Sequence, residues 1–261
     1  MKLIIQLCEQ DSSQTQELIE TLNSDIVHGQ DAIITEDYSH ILRLDQQGLS
    51  LLTNNLNTKQ DTAAPTRVDF LDAGLTHRRL TSGKSQGIAK AIGLNKLKSP
   101  TVLDTTAGLG KDAFILASLG CTVTLLERSP IIHALLEDGF RRGLESADED
   151  VIKIINKMTL INIDAKDYLE IIISGKQDKP DVIYLDPMFP ARTKSAKVKK
   201  DISLLQQALG IDEDFDELFS AARLCAKHRV VVKRPGKKTK DIEPKPSFQI
   251  EGKSAHFNIY V

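Results

Sequence analysis

The sequence has few cysteines and no long hydrophobic run. Its 261 residues include three cysteines, which are far apart and form no C-x-x-C pair. This spacing argues against a disulfide framework and against a zinc cluster, so we expect no metal site. No stretch approaches the roughly 18 apolar residues of a membrane-spanning helix. Disulfide-rich, zinc-binding and membrane-spanning proteins are therefore disfavoured.

The N-terminal segment also lacks the features of a secretory signal. The stretch MKLIIQLCEQDSS becomes acidic after seven residues, and it offers no extended apolar core before a small-residue cleavage site. Hydrophobic residues make up 41% and charged residues 27% of the chain, which is typical of globular domains and excludes a disordered or fibrous protein. We expect a cytoplasmic protein, and the sequence indicates no oligomeric state.

Charge is distributed unevenly along a chain whose net charge is −2. Residues 1–60 contain three Lys or Arg against nine Asp or Glu, whereas residues 192–240 contain 13 Lys or Arg against six Asp or Glu. A basic region of this kind can bind a polyanion, but a solvated surface has the same pattern. Charge alone leaves both interpretations open.

Composition and pattern divide the chain into three regions. Residues 1–60 carry short apolar runs and one helix-like stretch, and they are expected to form a small N-terminal α/β subdomain. Residues 61–99 form a linking segment with a polar loop, HRRLTSGKSQ, and a short helix, GIAKAIGLNK. Residues 100–261 form the main domain. The polar stretch at 56–67, which ends near a proline, is the predicted boundary between the first two regions.

The main domain shows a regular alternation of strands and helices. Five β-rich runs alternate with helical stretches, which predicts a doubly wound parallel sheet: Thr101–Leu103, Thr122–Leu126, Thr159–Ile163, Asp181–Leu185 and Arg229–Lys233. Two further runs, Phe248–Glu251 and His256–Val261, are joined by a short link and must pair antiparallel. The predicted fold is α/β and Rossmann-like, with a seven-stranded sheet of five parallel strands and a C-terminal antiparallel hairpin.

Acidic and glycine residues follow the first two predicted strands of this sheet. Asp104 opens a loop that contains Gly108 and Gly110, and its GLGKDA stretch matches the loose G-x-G-x-x-G/A pattern. Ligands bind at the carboxyl ends of the strands in open α/β sheets, and glycines let the backbone approach them closely. Glu127 follows the next strand and can accept both hydroxyls of a ribose. This pair of features fits NAD and S-adenosylmethionine (SAM) equally well.

The fourth strand ends in Asp186-Pro187-Met188-Phe189. The Asp186 carboxylate and the Pro187 carbonyl can accept the two N–H bonds of an exocyclic base amine, and Phe189 offers a face for stacking the base. Proline fixes its own φ and stiffens the turn. These three residues are the predicted catalytic residues, and Asp186 is a candidate for removing the amine proton.

The motifs together resemble a known family. D-x-x-A-G-x-G, the acidic residue after the second strand and D-P-M-F look like a class I SAM-dependent methyltransferase. The stretches HRRLTSGKSQGIAKAIG, VLDTTAGLGKDAFILASLG, LLERSP and VIYLDPMFPARTKSAKVKKD are similar to the ribosomal RNA small subunit methyltransferase J family. The resemblance implies methylation of guanosine N2 in 16S rRNA, with 16S rRNA or the 30S subunit as partner and SAM as cofactor.

The resemblance and the glycine loop also imply where the cofactor binds. The expected SAM contacts are Asp104, Gly108, Gly110, Lys111, Asp112, Glu127, Arg128, Asp164, Ala165 and Asp186. Asp164 and Ala165 depart from the Ser-Ser that is associated with the family at that position.

Basic residues lie close to the predicted catalytic turn and are the expected contacts with RNA phosphates. The predicted RNA contacts are His77, Arg78, Arg79, Lys84, Arg192, Lys194, Lys197, Lys199 and Lys200. Lys233 and Arg234, with Lys237 and Lys238, follow the fifth strand and extend this predicted patch. The SGKS stretch lacks the first glycine of a P-loop, because position 78 is arginine.

Three alternatives remain from the residues. An amino-methyltransferase acting on another RNA or on a DNA base has the same D-P-M-F motif. An NAD-dependent oxidoreductase explains GLGKDA and Glu127 but gives no reason for D-P-M-F or the basic loop. A non-catalytic RNA-binding protein that kept the fold is the third.

Overall fold

The computed structural model describes residues 2–8, 13–30, 32–54, 65–83, 86–187, 215–236, 244–252 and 255–261. The first part of the chain forms a four-stranded sheet and one helix. Its elements are β1 (Leu3–Leu7), α1 (Ser13–Leu22), β2 (Asp25–His28), β3 (His40–Asp45) and β4 (Gly48–Thr53).

This smaller sheet has the order β2-β1-β3-β4. Strand β1 pairs in parallel with β2 and β3, and β3 and β4 form an antiparallel hairpin. The predicted N-terminal α/β unit is therefore present, although the apolar run Ala32–Ile34 forms no strand. Most of the predicted boundary at 56–67 lies outside the described residues. Its Thr66 forms an isolated bridge with Leu51, so the domain limits stay a prediction.

The second sheet has seven strands in the order β10-β11-β9-β8-β5-β6-β7. The strands β5 to β9 pair in parallel, and β11 is antiparallel to both β9 and β10. The prediction of five parallel strands and a terminal hairpin is confirmed. The strands are β5 (Thr101–Asp104), β6 (Thr122–Leu126), β7 (Met158–Ile161), β8 (Val182–Leu185), β9 (Arg229–Pro235), β10 (Phe248–Glu251) and β11 (Ala255–Tyr260).

The helices described after β4 include two that the pattern did not predict. The helices are α2 (Ala73–Ser82), α3 (Gly87–Ile92), α4 (Lys111–Ser118), α5 (Pro130–Leu144), α6 (Glu149–Ile155), α7 (Ala165–Ile173) and α8 (Phe215–Cys225). The polar loop predicted from HRRLTSGKSQ is wrong at its start, because α2 runs through it. Asp72 caps this helix by accepting the Leu75 N–H, and Leu75 is buried.

Helix α6 is likewise absent from the predicted elements. Its cap Asp148 accepts the N–H groups of Asp150 and Val151, and its apolar residues Val151, Ile154 and Ile155 are buried. An apolar stripe this short gives little periodic signal beside the charged residues that surround it.

Two hydrophobic layers cover the two faces of the large sheet. Strand β8 is buried along its whole length, as expected for a central parallel strand. One layer combines α3, α4 and α5 with residues of the smaller sheet, including Ile5 and Leu42. The other layer packs α7 and α8 against the opposite face. The smaller sheet therefore shares a core with the main domain.

A buried carboxylate fastens the smaller sheet to α5. Asp138 is 1% exposed and accepts hydrogen bonds from the Leu49 N–H at 2.9 Å, from Arg141 Nη2 at 2.9 Å and from Arg142 Nε at 2.8 Å. Arg142 also donates to the Val68 carbonyl. These residues are the Asp138 joint. Among the residues that the structure describes, no helix is long and apolar enough to cross a membrane.

Candidate active site

A cavity of about 340 Å³ lies at the carboxyl ends of the parallel strands. This is the edge at which open α/β sheets bind ligands. The cavity combines polar residues from β5, β6, β8 and β9 with residues of α2, α4, α7 and α8. Its lining residues include Arg78, Asp104, Thr106, Gly108, Lys111, Asp112, Glu127, Arg128, Ile163, Asp164, Ala165, Lys166, Tyr184, Asp186, Leu218 and Lys233.

The glycine loop separates two roles that the sequence had grouped together. Gly108 lines the cavity, and its N–H donates to Glu127 Oε2 at 3.3 Å. Gly110 instead supports the turn into α4 with a φ of 69°. A Cβ at Gly110 would come within 2.9 Å of Leu136 Cδ2. Only glycine combines that conformation with such close packing, so Gly110 shapes the loop from behind the cavity.

Glu127 is held in one orientation at the end of β6. The side chain is buried, and Oε1 accepts the Ser129 N–H at 2.8 Å. Arg128 follows it and lies 3.5 Å from Asp164 Oδ2. Asp164 in turn caps α7 by accepting the Lys166 N–H at 2.8 Å. Ala165 lies beside this cap, so the ends of β6 and β7 present a fixed carboxylate next to a partly apolar wall.

A cluster of ionisable side chains lies between α4 and the end of β8. Lys233 Nζ lies 2.6 Å from Asp186 Oδ2 and 2.7 Å from Asp112 Oδ2. Asp112 also contacts Arg78 Nη1 at 2.9 Å and accepts the Tyr184 hydroxyl at 2.8 Å. We call these five residues the pocket cluster.

The two carboxyl groups of the pocket cluster differ in their ionisation. Burial raises the pKa of Asp112, but Lys233 and Arg78 outweigh it and leave that pKa below its ordinary value. Burial also raises the pKa of Asp186, and Lys233 opposes the shift without cancelling it. The negative charge of Asp112 adds to the increase. Asp186 is thus the more readily protonated of the two.

Asp104 and Tyr184 are protonated more readily than their free side chains. Burial raises the pKa of Asp104 to about 7, although the Thr106 N–H that it accepts at 3.1 Å lowers it. Burial also raises the pKa of Tyr184, which keeps its phenol a hydrogen-bond donor to Asp112.

The glycine loop after β5 is joined to the end of β8 and to Asp186 by two threonines. Thr106 Oγ1 accepts the Asp186 N–H at 2.6 Å. Thr105 donates to the Tyr184 carbonyl through both its N–H, at 3.1 Å, and its hydroxyl, at 3.2 Å. Hydrogen bonds therefore hold the glycine loop and the turn at Asp186 together.

The structure brings together nine of the ten predicted cofactor residues around one cavity. Gly110 is the exception. Of the predicted catalytic residues, Asp186 lines the cavity, Pro187 is buried directly after it, and Phe189 lies outside the described residues.

The predicted RNA contacts are dispersed. Arg78 points to Asp112 in the cavity, whereas Arg79 points to Asp150 of α6 at 3.3 Å and His77 is exposed on α2. Arg79 and Arg78 diverge because adjacent helical residues point in different directions. The rest of the predicted set lies outside the described residues: Lys84, Arg192, Lys194, Lys197, Lys199 and Lys200.

The sequence did not identify Thr106, Tyr184 or Lys233 as residues of this site. Lys233 was assigned to a surface patch together with Arg234, but Arg234 is buried and Lys233 faces two carboxylates. One feature of the sequence did point to this position of Lys233. It is a cation near the end of a predicted strand, and that strand runs beside β8. Its partner Asp112 is 121 residues away, and only the fold brings the two together.

No group of three or more His, Cys, Asp or Glu side chains within the described part of the chain is arranged to hold a metal ion. Three carboxylates of the cavity, those of Asp112, Asp164 and Asp186, are paired with cationic side chains instead.

The known proteins to which this chain is similar are methyltransferases. A family model described as "Putative SAM-dependent methyltransferase" matches residues 26–261. The ribosomal RNA small subunit methyltransferase J of Pseudomonas fluorescens (strain Pf0-1) is 47% identical over 225 residues, covering 86% of this chain and 83% of the relative. The protein of the same name from Thioalkalivibrio sulfidiphilus is 45% identical over 222 residues, covering 85% and 84%.

A solved structure agrees with these sequences. The crystal structure of a SAM-dependent methyltransferase from Neisseria gonorrhoeae matches with a TM-score of 0.72 and 30% identity, covering 99% of this chain and 95% of that chain. The NAD-dependent oxidoreductase that the glycine loop left open is thereby set aside. The chain belongs to the SAM-dependent methyltransferases, in the family of ribosomal RNA small subunit methyltransferase J.

Proposed function

We propose that the protein transfers a methyl group from SAM to the exocyclic N2 amine of a guanosine in 16S ribosomal RNA. The observation that carries the proposal is the Asp186 carboxylate, which ends β8 at the edge of the cofactor cavity and is held there by Lys233 and Thr106. The names of the relatives support ribosomal RNA as the substrate, and the cytoplasm as the place of action follows from that substrate.

The donors and acceptors of the cavity fit SAM. Glu127 is a buried carboxylate beside the Gly108 backbone and suits the two hydroxyls of a ribose. The wall formed by Ile163 and Ala165 suits the adenine ring. The carboxylate of Asp112, at the first turn of α4, suits the ammonium group of the methionine end. Asp104, Lys111, Arg128, Asp164 and Asp186 complete the proposed cofactor contacts.

SAM supplies an electrophilic methyl group on a sulfonium, so the protein mainly has to align the acceptor. Guanine N2 is a weak nucleophile because its lone pair is delocalised into the ring. Asp186 and the Pro187 carbonyl would accept the two N–H bonds of this amine, which fixes the nitrogen and favours a more pyramidal geometry. The stiff Asp-Pro peptide keeps both acceptors on one turn.

RNA binding stays a prediction that rests on the basic loop at 192–200. A base in folded RNA must be unstacked or already exposed before its amine can enter such a site. Phosphate contacts release counterions, so the RNA affinity is expected to fall steeply with salt concentration. An affinity independent of salt would contradict a phosphate-binding role for Arg192, Lys194, Lys197, Lys199 and Lys200.

The proposal is tested by supplying labelled SAM to 30S subunits that lack their native modification, followed by nuclease digestion and nucleoside mass spectrometry. The expected product is N2-methylguanosine from the small-subunit RNA. Heat-treated protein and subunits that already carry the modification are the controls. Methyl transfer to an adenine amine, or to DNA rather than RNA, would favour the alternative amino-methyltransferase. SAM binding without methyl transfer to any of these substrates would contradict the proposed activity.

A further inference from the structure

Within the described part of the chain, Lys233 is a cation in direct contact with the proposed catalytic carboxylate, Asp186. Its ammonium bridges Asp186 and Asp112 at 2.6 and 2.7 Å, and its side chain is 28% exposed. The sequence had predicted it only as an extension of the RNA-binding patch, and not as a partner of Asp186. It therefore needs a role of its own.

The sheet fixes Lys233 in this position. Strands β8 and β9 are parallel neighbours with Leu185 opposite Val232, which brings the next residues, Asp186 and Lys233, side by side. Side chains alternate along a strand, so Lys233 projects to the same face as Val231. Val231 belongs to the layer that contains α4, and Asp112 lies in the first turn of that helix. The contact is thus built on rigid elements.

An ionised carboxylate is a stronger acceptor for an amine than a carboxyl group, because protonation turns one of its two oxygens into a donor. Around Asp186 the protein favours protonation: burial raises its pKa, and the charge of Asp112 on α4 raises it further. Asp104 of β5 is a third carboxyl coupled to the same group. Tyr184 of β8 and Arg78 of α2 bind Asp112 instead. Lys233 opposes protonation by direct contact.

We propose that Lys233 is a positioning residue for methyl transfer, which holds Asp186 ionised and fixes its Oδ2 so that the other oxygen can accept the substrate amine. Its second bond, to Asp112, ties this orientation to the first turn of α4, which carries the proposed cofactor contacts Lys111 and Asp112. The inference rests on the proposed function for the identity of the amine, but the contact itself is open to measurement without any substrate.

The test compares Lys233→Met, which removes the charge at similar length, with Lys233→Arg, which keeps it. The carboxyl of Asp186 is titrated by carbon NMR in protein labelled with carbon-13 at aspartate, with Asp186→Asn used to assign its signal. In Lys233→Met the midpoint is expected to rise by about one pH unit or more, as follows from losing an opposite charge in direct contact. Lys233→Arg is expected to stay close to the wild type. An unchanged midpoint in folded Lys233→Met would overturn the proposal.

Activity gives a second readout. The acid limb of the methyl-transfer rate is expected to move to higher pH in Lys233→Met, so that its loss of kcat shrinks as the pH is raised. In an Asp186→Asn background, Lys233→Met should lower kcat no further. A loss that is equal at every pH and that adds fully to that of Asp186→Asn would show a merely structural lysine. If the wild type methylates no N2 amine, the proposed function fails while the NMR titration still decides the role of Lys233.

Discussion

Two clusters of aspartate with basic partners occupy different parts of this protein and serve different ends. The Asp138 joint lies between α5 and the smaller sheet, and its carboxylate is 1% exposed with hydrogen bonds to a backbone N–H and two arginines. The pocket cluster lies at the carboxyl edge of the large sheet, where the Asp186 side chain is 36% exposed. Both carboxylates form ion pairs, but that of Asp138 is buried and that of Asp186 is partly exposed at a cavity.

The two clusters use the same residue types, so their location decides whether they contribute to stability or to function. Breaking a buried, fully bonded pair leaves an uncompensated charge, so the Asp138 joint should act on folding. A carboxylate at the strand ends beside a cavity should act on the ligand. Substitutions in the Asp138 joint test its role in stability, and substitutions at the cavity test the roles of its residues.

The largest expected effect is on stability, for Asp138→Ala. The substitution removes the acceptor of the Leu49 N–H and of two arginines at once, so unfolding should become easier by about 3–5 kcal/mol. Chemical denaturation measures the change. The matched control is Arg141→Ala, whose side chain is 42% exposed and should cost only about 0–1 kcal/mol. Equal losses for the two variants would contradict the account of the joint.

The next effect depends on pH and concerns Asp104→Asn. Because burial raises the Asp104 pKa from 3.8 to about 7, the folded state keeps a proton that the unfolded state has lost between these values. Wild-type stability should therefore fall as the pH rises through this window, with a slope of ~1.4 kcal/mol per pH unit from this group.

Asparagine does not titrate, and its carbonyl can still accept the Thr106 N–H. The stability of Asp104→Asn relative to the wild type should therefore increase from pH 4 to pH 7, on the order of a few kcal/mol. Paired thermal melts at several pH values measure this difference. A constant difference across the range would show that Asp104 does not titrate there.

The Asp186→Asn substitution is expected to have a smaller free-energy effect than Asp138→Ala or Asp104→Asn, and this effect should fall on the rate of methyl transfer. Loss of a charged acceptor should lower kcat about 10- to 100-fold. The affinity for SAM, measured by calorimetry, should fall less than kcat, because the other expected SAM contacts remain. Asp181→Asn is the control, because Asp181 precedes the same strand β8 at its opposite end and accepts the Thr101 N–H. Full turnover in Asp186→Asn would remove Asp186 from the proposed mechanism.

The smallest effect is expected for Thr106→Val, which removes the acceptor of the Asp186 N–H. The turn should become less well held, and kcat should fall about 2- to 10-fold with little change in the KM for SAM. Thr106→Ser keeps the hydroxyl and should retain most of the activity. If valine and serine behave alike, the hydroxyl does not position the turn.

Much of the fold followed from periodicity, and the exceptions have physical reasons. Five alternating strand and helix patterns and a terminal hairpin predicted the large sheet, because buried strands and amphipathic helices leave strong signals. Helix α2 was missed because few of its residues face the core, and α6 because its stripe of three buried apolar residues is short. The direction of the Arg79 side chain could not be predicted either, because it depends on α2, which the sequence pattern did not predict.

The site was predicted where residues follow strand ends and missed where partners are distant. Asp104, Glu127 and Asp186 each follow a strand, so their common edge was visible in the sequence. Lys233 was expected to extend the RNA-binding patch, whereas it contacts two carboxylates, because its position comes from the pairing of β8 with β9 and from Asp112 on α4. Local pattern carries no information on such long-range contacts.

The separation between the two clusters is tested most directly by one measurement. The single-turnover rate of methyl transfer from bound SAM to the RNA of modification-free 30S subunits is compared for wild type, Asp186→Asn and Asp138→Asn, each corrected for folded fraction. The account predicts a rate lowered at least about tenfold in Asp186→Asn and a wild-type rate per folded molecule in Asp138→Asn. A wild-type rate in Asp186→Asn, or an equal loss in both variants, would contradict it.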